Sequence, residues 1–142
     1  MSSELLDTFE DLSDWTTVAS GQAHLDLSQA DGVEGHALQL DFDFKGGGGF
    51  VVARKPFFLD LPDAYTFCFY MRGVSLHNRL EFKLVDREGH NVWWYHRDDF
   101  EFSEDWQLVR IPHRDYIYLT CCVLFTQASR RHPQGRSRRV CP

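Results

Sequence analysis

Trp93 and Tyr95 are the side chains in this chain best suited to do chemistry, because they are flat, electron-rich rings set two residues apart. In an extended strand, residues two apart share a face. The preceding apolar-polar alternation, Leu80-Glu81-Phe82-Lys83-Leu84, places Glu81 and Lys83 on a face opposite Leu80, Phe82 and Leu84. Arg97 continues the odd-numbered phase. Asp41 and Asp43 alternate outward on an earlier strand, and Arg54 follows a glycine turn. Aromatic rings accept the apolar C–H face of a sugar, while charged groups hold its hydroxyl rim in paired hydrogen bonds. The expectation is a sheet face carrying Trp93, Tyr95, Glu81, Lys83 and Arg97, with Asp41, Asp43 and Arg54 adding polar contacts. The alternative for Trp93 is packing under a loop, with the charges forming a solvated ladder. Val92 and Trp94 share the other phase and read as core, and Trp15 and Trp106 read as packing residues.

Other chemistries fit less well. Asp98, Asp99, Glu101, Glu104 and Asp105 cluster after the tryptophans. Glycoside cleavage requires two carboxylates facing each other at about 5–10 Å, and neighbouring acids on a turn mostly face water. His90, His96 and His113 have no nucleophile elbow beside them. Gly46 to Gly49 lack the Gly-Lys-Ser/Thr that opens a helix in a phosphate loop, so they read as a hairpin turn. No enzymatic activity is expected.

The elements that must position these residues are strands. Candidate strands run over residues 5–9, 15–19, 23–28, 37–44, 49–55, 65–72, 80–86, 91–96, 100–102, 107–111 and 116–125. Turn residues separate them at Ser20-Gly21, Asp31-Gly32, Lys45 to Gly49, Pro62-Asp63 and Glu88-Gly89. The clearest unit is a hairpin over residues 37–55, in which Leu38, Leu40, Phe42 and Phe44 alternate with polar neighbours. No helical period persists. The aromatic content of 15%, with twelve Phe and four Trp, also favours sheet. The expected fold is all-β, an antiparallel β-sandwich of jelly-roll type, occupying residues 1–125 as one domain.

Charge divides the chain. Ten Lys and Arg and all twenty-one acids precede residue 130, whereas the last thirteen residues hold five arginines and no acid. Residues 126–142 have almost nothing to bury and are expected to be a basic, disordered tail. Cys68 lies in an apolar run and reads as a small core residue; Cys121 and Cys122 are adjacent, and Cys141 is in the tail. Their spacing suits neither zinc nor a disulfide framework, so reduced thiols are expected. No apolar run is long enough to span a membrane, and no signal peptide is visible.

Several segments together resemble the galactose-binding-domain-like carbohydrate-binding modules found in bacterial glycoside hydrolases and discoidin-type proteins. These are Phe9-Glu10-Asp11 with Trp15, residues 38–44 with the glycine turn, Ala53-Arg54-Lys55, residues 80–86, Asn91-Val92-Trp93-Trp94, and Trp106. The resemblance covers residues 5–118. It implies non-catalytic carbohydrate binding that targets an attached glycoside hydrolase to its glycan, outside the cell or in the periplasm. The partner is then a poly- or oligosaccharide, not a membrane or a nucleic acid. It also implies a structural calcium near Glu10 and Asp11. Similar folds in complex I assembly factors imply the alternative, a protein-interaction domain. The chain departs from the pattern at its end: a Trp-Ile-Asp-Asp-Leu closing strand is absent, and Tyr118-Leu119-Thr120-Cys121-Cys122 stands there instead. Truncation before the last strand would leave an edge open.

Overall fold

The computed structural model describes residues 3–120. Its regular elements are nine strands and one short 3-10 turn, His113–Asp115, and every strand pairing is antiparallel. The all-β class follows directly from the sequence pattern. Two compact units divide the chain, Met1–Leu59 and Asp60–Pro142.

In the first unit, β1 (Thr16–Ala19) pairs with β4 (Val51–Arg54), and β2 (His24–Asp31) pairs with β3 (His36–Asp43). The expected hairpin over residues 37–55 is therefore not formed. Instead β3 folds back on β2 through a turn closed by the Gly32 N–H donating to Gly35 O at 2.9 Å. The glycine run carries the chain across to β1, where the Ser20 and Phe50 backbones pair at 3.0 Å. Gly49 has φ 154°, and a Cβ there would lie 2.9 Å from Ser20 O, so only glycine allows this approach.

Residues 5–9 do not form the expected strand. Phe9 takes a left-handed φ of 57°, and its N–H donates to Asp7 Oδ1 at 2.7 Å. Asp7 Oδ2 also accepts from Lys55 Nζ at 2.7 Å and Trp15 Nε1 at 3.0 Å. Trp15 packs against Phe9 and Phe57. One carboxylate thus ties the N-terminal segment to the end of β4.

In the second unit, β5 (Thr66–Met71) pairs with β8 (Gln107–Pro112). A three-stranded sheet runs in the order β6 (Asn78–Val85), β7 (Asn91–Phe100), β9 (Ile117–Thr120). Strict alternation on β5 turns Phe67, Phe69 and Met71 inward and leaves Thr66, Cys68 and Tyr70 exposed. Phe82 of β6 meets Phe67 at 5.5 Å and stacks on Phe69 at 5.6 Å, and Val109 and Ile111 are buried. Burial of each such side chain contributes about 1.5–3 kcal/mol. Cys68 is exposed and not a core residue, because it occupies the outward phase of β5.

The strands expected at residues 91–96 and 100–102 are mainly one ten-residue strand, β7. Asp86 closes its turn, accepting the His90 N–H at 2.8 Å while its own carbonyl takes the Gly89 N–H at 3.0 Å. β9 pairs along β7 from Trp94↔Ile117 to Asn91↔Thr120. The rest of the strand expected to residue 125, Cys121, Cys122, Cys141 and the basic tail lie outside the described residues.

Candidate functional site

The register between β6 and β7 determines which side chains can act together. Glu81 is opposite His96, Phe82 opposite Tyr95, Lys83 opposite Trp94, and Leu84 opposite Trp93. Cross-strand partners share a face. Trp93 and Tyr95 therefore lie on the side of Phe82 and Leu84, while Glu81 and Lys83 lie on the side of Trp94 and His96. The expected set is split by register. Both alternations are present, but an even-numbered residue on one strand pairs with an odd-numbered residue on the other.

Tyr95 faces the aromatic cluster of the second unit, 6.5 Å from Tyr116, which in turn neighbours Tyr65 and Phe82. Burial, together with the Tyr65 and Tyr95 phenols, pushes the Tyr116 hydroxyl above the usual phenol range. Trp93 is half-buried opposite Leu84. Trp94, expected in the core, belongs instead to the charged face.

That face is a closed polar lattice. Lys83 Nζ lies 3.1 Å from Glu81 Oε2 and 5.7 Å from the centroid of the Trp94 ring. Trp94 and His96 stack at 4.5 Å with 26° between planes. Arg79 Nε donates to Asp98 Oδ1 at 2.6 Å, and its Nη1 lies 3.9 Å from Glu81 Oε1. His96 Nδ1 lies 3.5 Å from the same Asp98 oxygen, too far for a good hydrogen bond. Glu81 Oε1, Trp94 Nε1 and His96 Nδ1 are consequently buried polar atoms without hydrogen-bond partners. A buried donor or acceptor left unpaired costs about 1–3 kcal/mol, so three on one face need an explanation. Gln107 Nε2 and Tyr116 Oη are also unpaired, away from this face.

Arg97 is exposed opposite Leu80, on the Tyr95 side, with its guanidinium 5.2 Å from the Phe100 ring centroid. Between the pairs Leu80↔Arg97 and Asn78↔Phe100, β7 holds one residue more than β6. This bulge includes Asp99, at φ 50°, and it brings Phe100 to the Tyr95 side, where Phe100 is 3% exposed.

The remaining expected residues belong to the first unit and do not gather. Asp41 and Asp43 are exposed on β3; Asp41 accepts from Gln39 Nε2 at 2.8 Å, and Asp43 pairs with Lys45 Nζ at 3.2 Å. Hydrogen bonds from Lys45 hold the Asp43 carboxyl below the ordinary carboxylate range. Arg54 is on the separate β1–β4 pair, 3.4 Å from Thr16 Oγ1. Glu10 reaches His36 at 3.4 Å, and Asp11 accepts the Ser13 N–H at 2.8 Å. Among the described residues no three His, Cys, Asp or Glu side chains converge to hold a metal ion, so the geometry adds nothing to the calcium expected at Glu10 and Asp11. The acid that carries structure here is Asp7, which composition alone does not single out.

No protein-family model, curated protein or solved structure matches the chain. The described residues contain no helix long and apolar enough to cross a membrane.

Proposed function

We propose that this chain is a non-catalytic carbohydrate-binding domain of the galactose-binding-domain-like, jelly-roll type, and that it binds through the β6–β7 face. The stacked Trp94 and His96 rings, surrounded by the charged groups of Arg79, Lys83, Glu81 and Asp98, carry this reading. A sugar offers hydroxyls that both donate and accept, matching the partly exposed Arg79 and Lys83 as donors and the exposed Asp98 carboxylate as acceptor. The indole supplies the apolar platform, and Arg79, Lys83 and Asp98 form the charged rim. Trp94 and His96 thus take the aromatic role that alternation alone gave to Trp93 and Tyr95. Such binding holds an attached glycoside hydrolase near its glycan, outside the cell or in the periplasm, by raising effective concentration. Thermal unfolding with a panel of soluble oligosaccharides tests it, because a ligand of the folded state raises the midpoint by mass action. The expected result is an upward shift that Trp94→Ala abolishes and Arg54→Ala leaves intact. A panel that shifts nothing, or a shift indifferent to Trp94→Ala, overturns the reading.

A second reading, protein interaction, is favoured by one observation. Tyr70 and Leu108 are direct cross-strand partners on the outer face of the β5–β8 pair and are 54% and 39% exposed. Val74 and Leu76, in the segment after β5, are more exposed still. Sedimentation of the chain before and after Tyr70→Ser and Leu108→Ser distinguishes self-association through this face from a monomer that binds glycans.

A further inference from the structure

The outer face of the β5–β8 pair is apolar at its centre and basic at its margins. Tyr70 and Leu108 stand side by side across the ladder, 54% and 39% exposed. Trp106, half-buried just before β8, carries the exposed guanidinium of Arg72 at 4.7 Å from its ring centroid. At the other margin Arg110 is opposite Cys68, with its Nη1 3.7 Å from the thiol sulfur. The outward residues of the two strands include no acid: they are Thr66, Cys68, Tyr70, Leu108 and Arg110. Exposed guanidinium groups are satisfied by water, so they contribute the sign of the local field and not a demand for a partner. The apolar pair between them is what gains from being covered.

We infer that this face receives the Glu4-Leu5-Leu6 segment of a second copy of the chain, an inference that rests on the protein-interaction reading above. The segment has the complementary composition. Leu5 and Leu6 are 76% and 36% exposed, and the exposed carboxylate of Glu4 precedes them. It has no regular secondary structure, yet it is held at its base, where Asp7 accepts from the Phe9 N–H, Trp15 Nε1 and Lys55 Nζ. Two apolar side chains are thereby presented beside an acid, and the opposite surface offers two apolar side chains beside arginines.

Charge decides between a second copy's segment and a second copy's face. Stacking the β5–β8 face on itself would bring four arginines together with no carboxylate from either strand pair. The Glu4 segment brings the opposite charge. Each copy carries one face and one segment, so exchange in both directions closes a two-fold dimer. The contact is smaller than a standard protein interface, and the association is accordingly transient.

The experiment is sedimentation velocity at rising concentration of the full chain, with dithiothreitol present so that no disulfide through exposed Cys68 contributes. Wild type should dimerise. A segment variant, Leu5→Ser with Leu6→Ser, and a face variant, Tyr70→Ser with Leu108→Ser, should each associate at least about tenfold more weakly. All four positions are exposed, and circular dichroism checks that both variants stay folded. Mixed together, the two variants should form a heterodimer through one contact, since one keeps the face and the other keeps the segment. Glu4→Lys should weaken wild-type association, as should added salt. A wild type that stays monomeric overturns both the inference and the reading beneath it. Dimerisation lost in the face variant but kept in the segment variant overturns the inference alone, as does indifference to Glu4→Lys or a mixture that does not associate.

Discussion

Lys83 stands directly across the β6–β7 ladder from Trp94, with its ammonium 5.7 Å from the indole centroid. That single pairing places the lysine, Glu81 and the stacked Trp94–His96 rings on one surface and sends Trp93 to the other.

The pair should be measurable in stability. A double-mutant cycle with Lys83→Met and Trp94→Leu is expected to give a coupling of about 0.5–1 kcal/mol in urea unfolding, the usual worth of a partly exposed cation over an indole. The same cycle with Lys83→Met and Trp93→Leu should give none. Equal coupling in both cycles would contradict the register.

Asp7 and Lys55 form the most enclosed ion pair in the first unit, with side chains 10% and 18% exposed. Lys55→Ala is expected to cost about 2 kcal/mol, between the values for exposed and fully buried pairs. Burial opposes ionisation of Asp7, yet hydrogen bonds from Lys55, the Phe9 N–H and Trp15 outweigh it and hold the carboxyl below its ordinary value. A lowered folded-state pKa means the contribution is whole above the ordinary carboxylate range, near about pH 4, and is lost as pH falls through the lowered value. The stability gap between wild type and Asp7→Asn should therefore narrow on acidification. A gap that widens would refute this sign.

Tyr116 presents the opposite case. Its hydroxyl is buried with no hydrogen-bond partner, while its ring contributes to the aromatic cluster. Tyr116→Phe should keep the packing and relieve the unpaired hydroxyl, stabilising the chain by up to about 1 kcal/mol. A loss above that amount in chemical denaturation would mean the hydroxyl has a partner.

Asp99, at φ 50°, occupies a region that glycine enters freely and β-branched residues avoid. Asp99→Gly should leave the unfolding midpoint near wild type or slightly higher, whereas Asp99→Val should cost more than about 1 kcal/mol. Equal effects of the two substitutions would show that the bulge relaxes without strain.

Much of the fold was legible because period-2 patterning depends only on neighbours in the chain. The alternation in residues 80–84 locates β6 and tells its faces apart before any tertiary contact exists, whereas residues 65–71 read only as an apolar run, which placed Cys68 in the core when it lies on the outward phase of β5. Local breakers also mark the turns, as at Glu88-Gly89, where glycine takes φ 75°. What alternation cannot supply is phase between strands. The hairpin expected over residues 37–55 and the face shared by Trp93 with Glu81 both required a partner and a register, and both were decided elsewhere. β3 found β2 and β4 found β1.

The amino-acid sequence by itself thus determined the strands, their turns and the all-β class, since each follows from local sterics and the spacing of apolar residues. Only the tertiary structure decided which side chains meet. A one-residue change in register exchanges every side chain between faces. One extra residue at Asp99 carried Phe100 into the core. The Asp7–Lys55 contact joins positions forty-eight residues apart, a separation no local pattern can bridge.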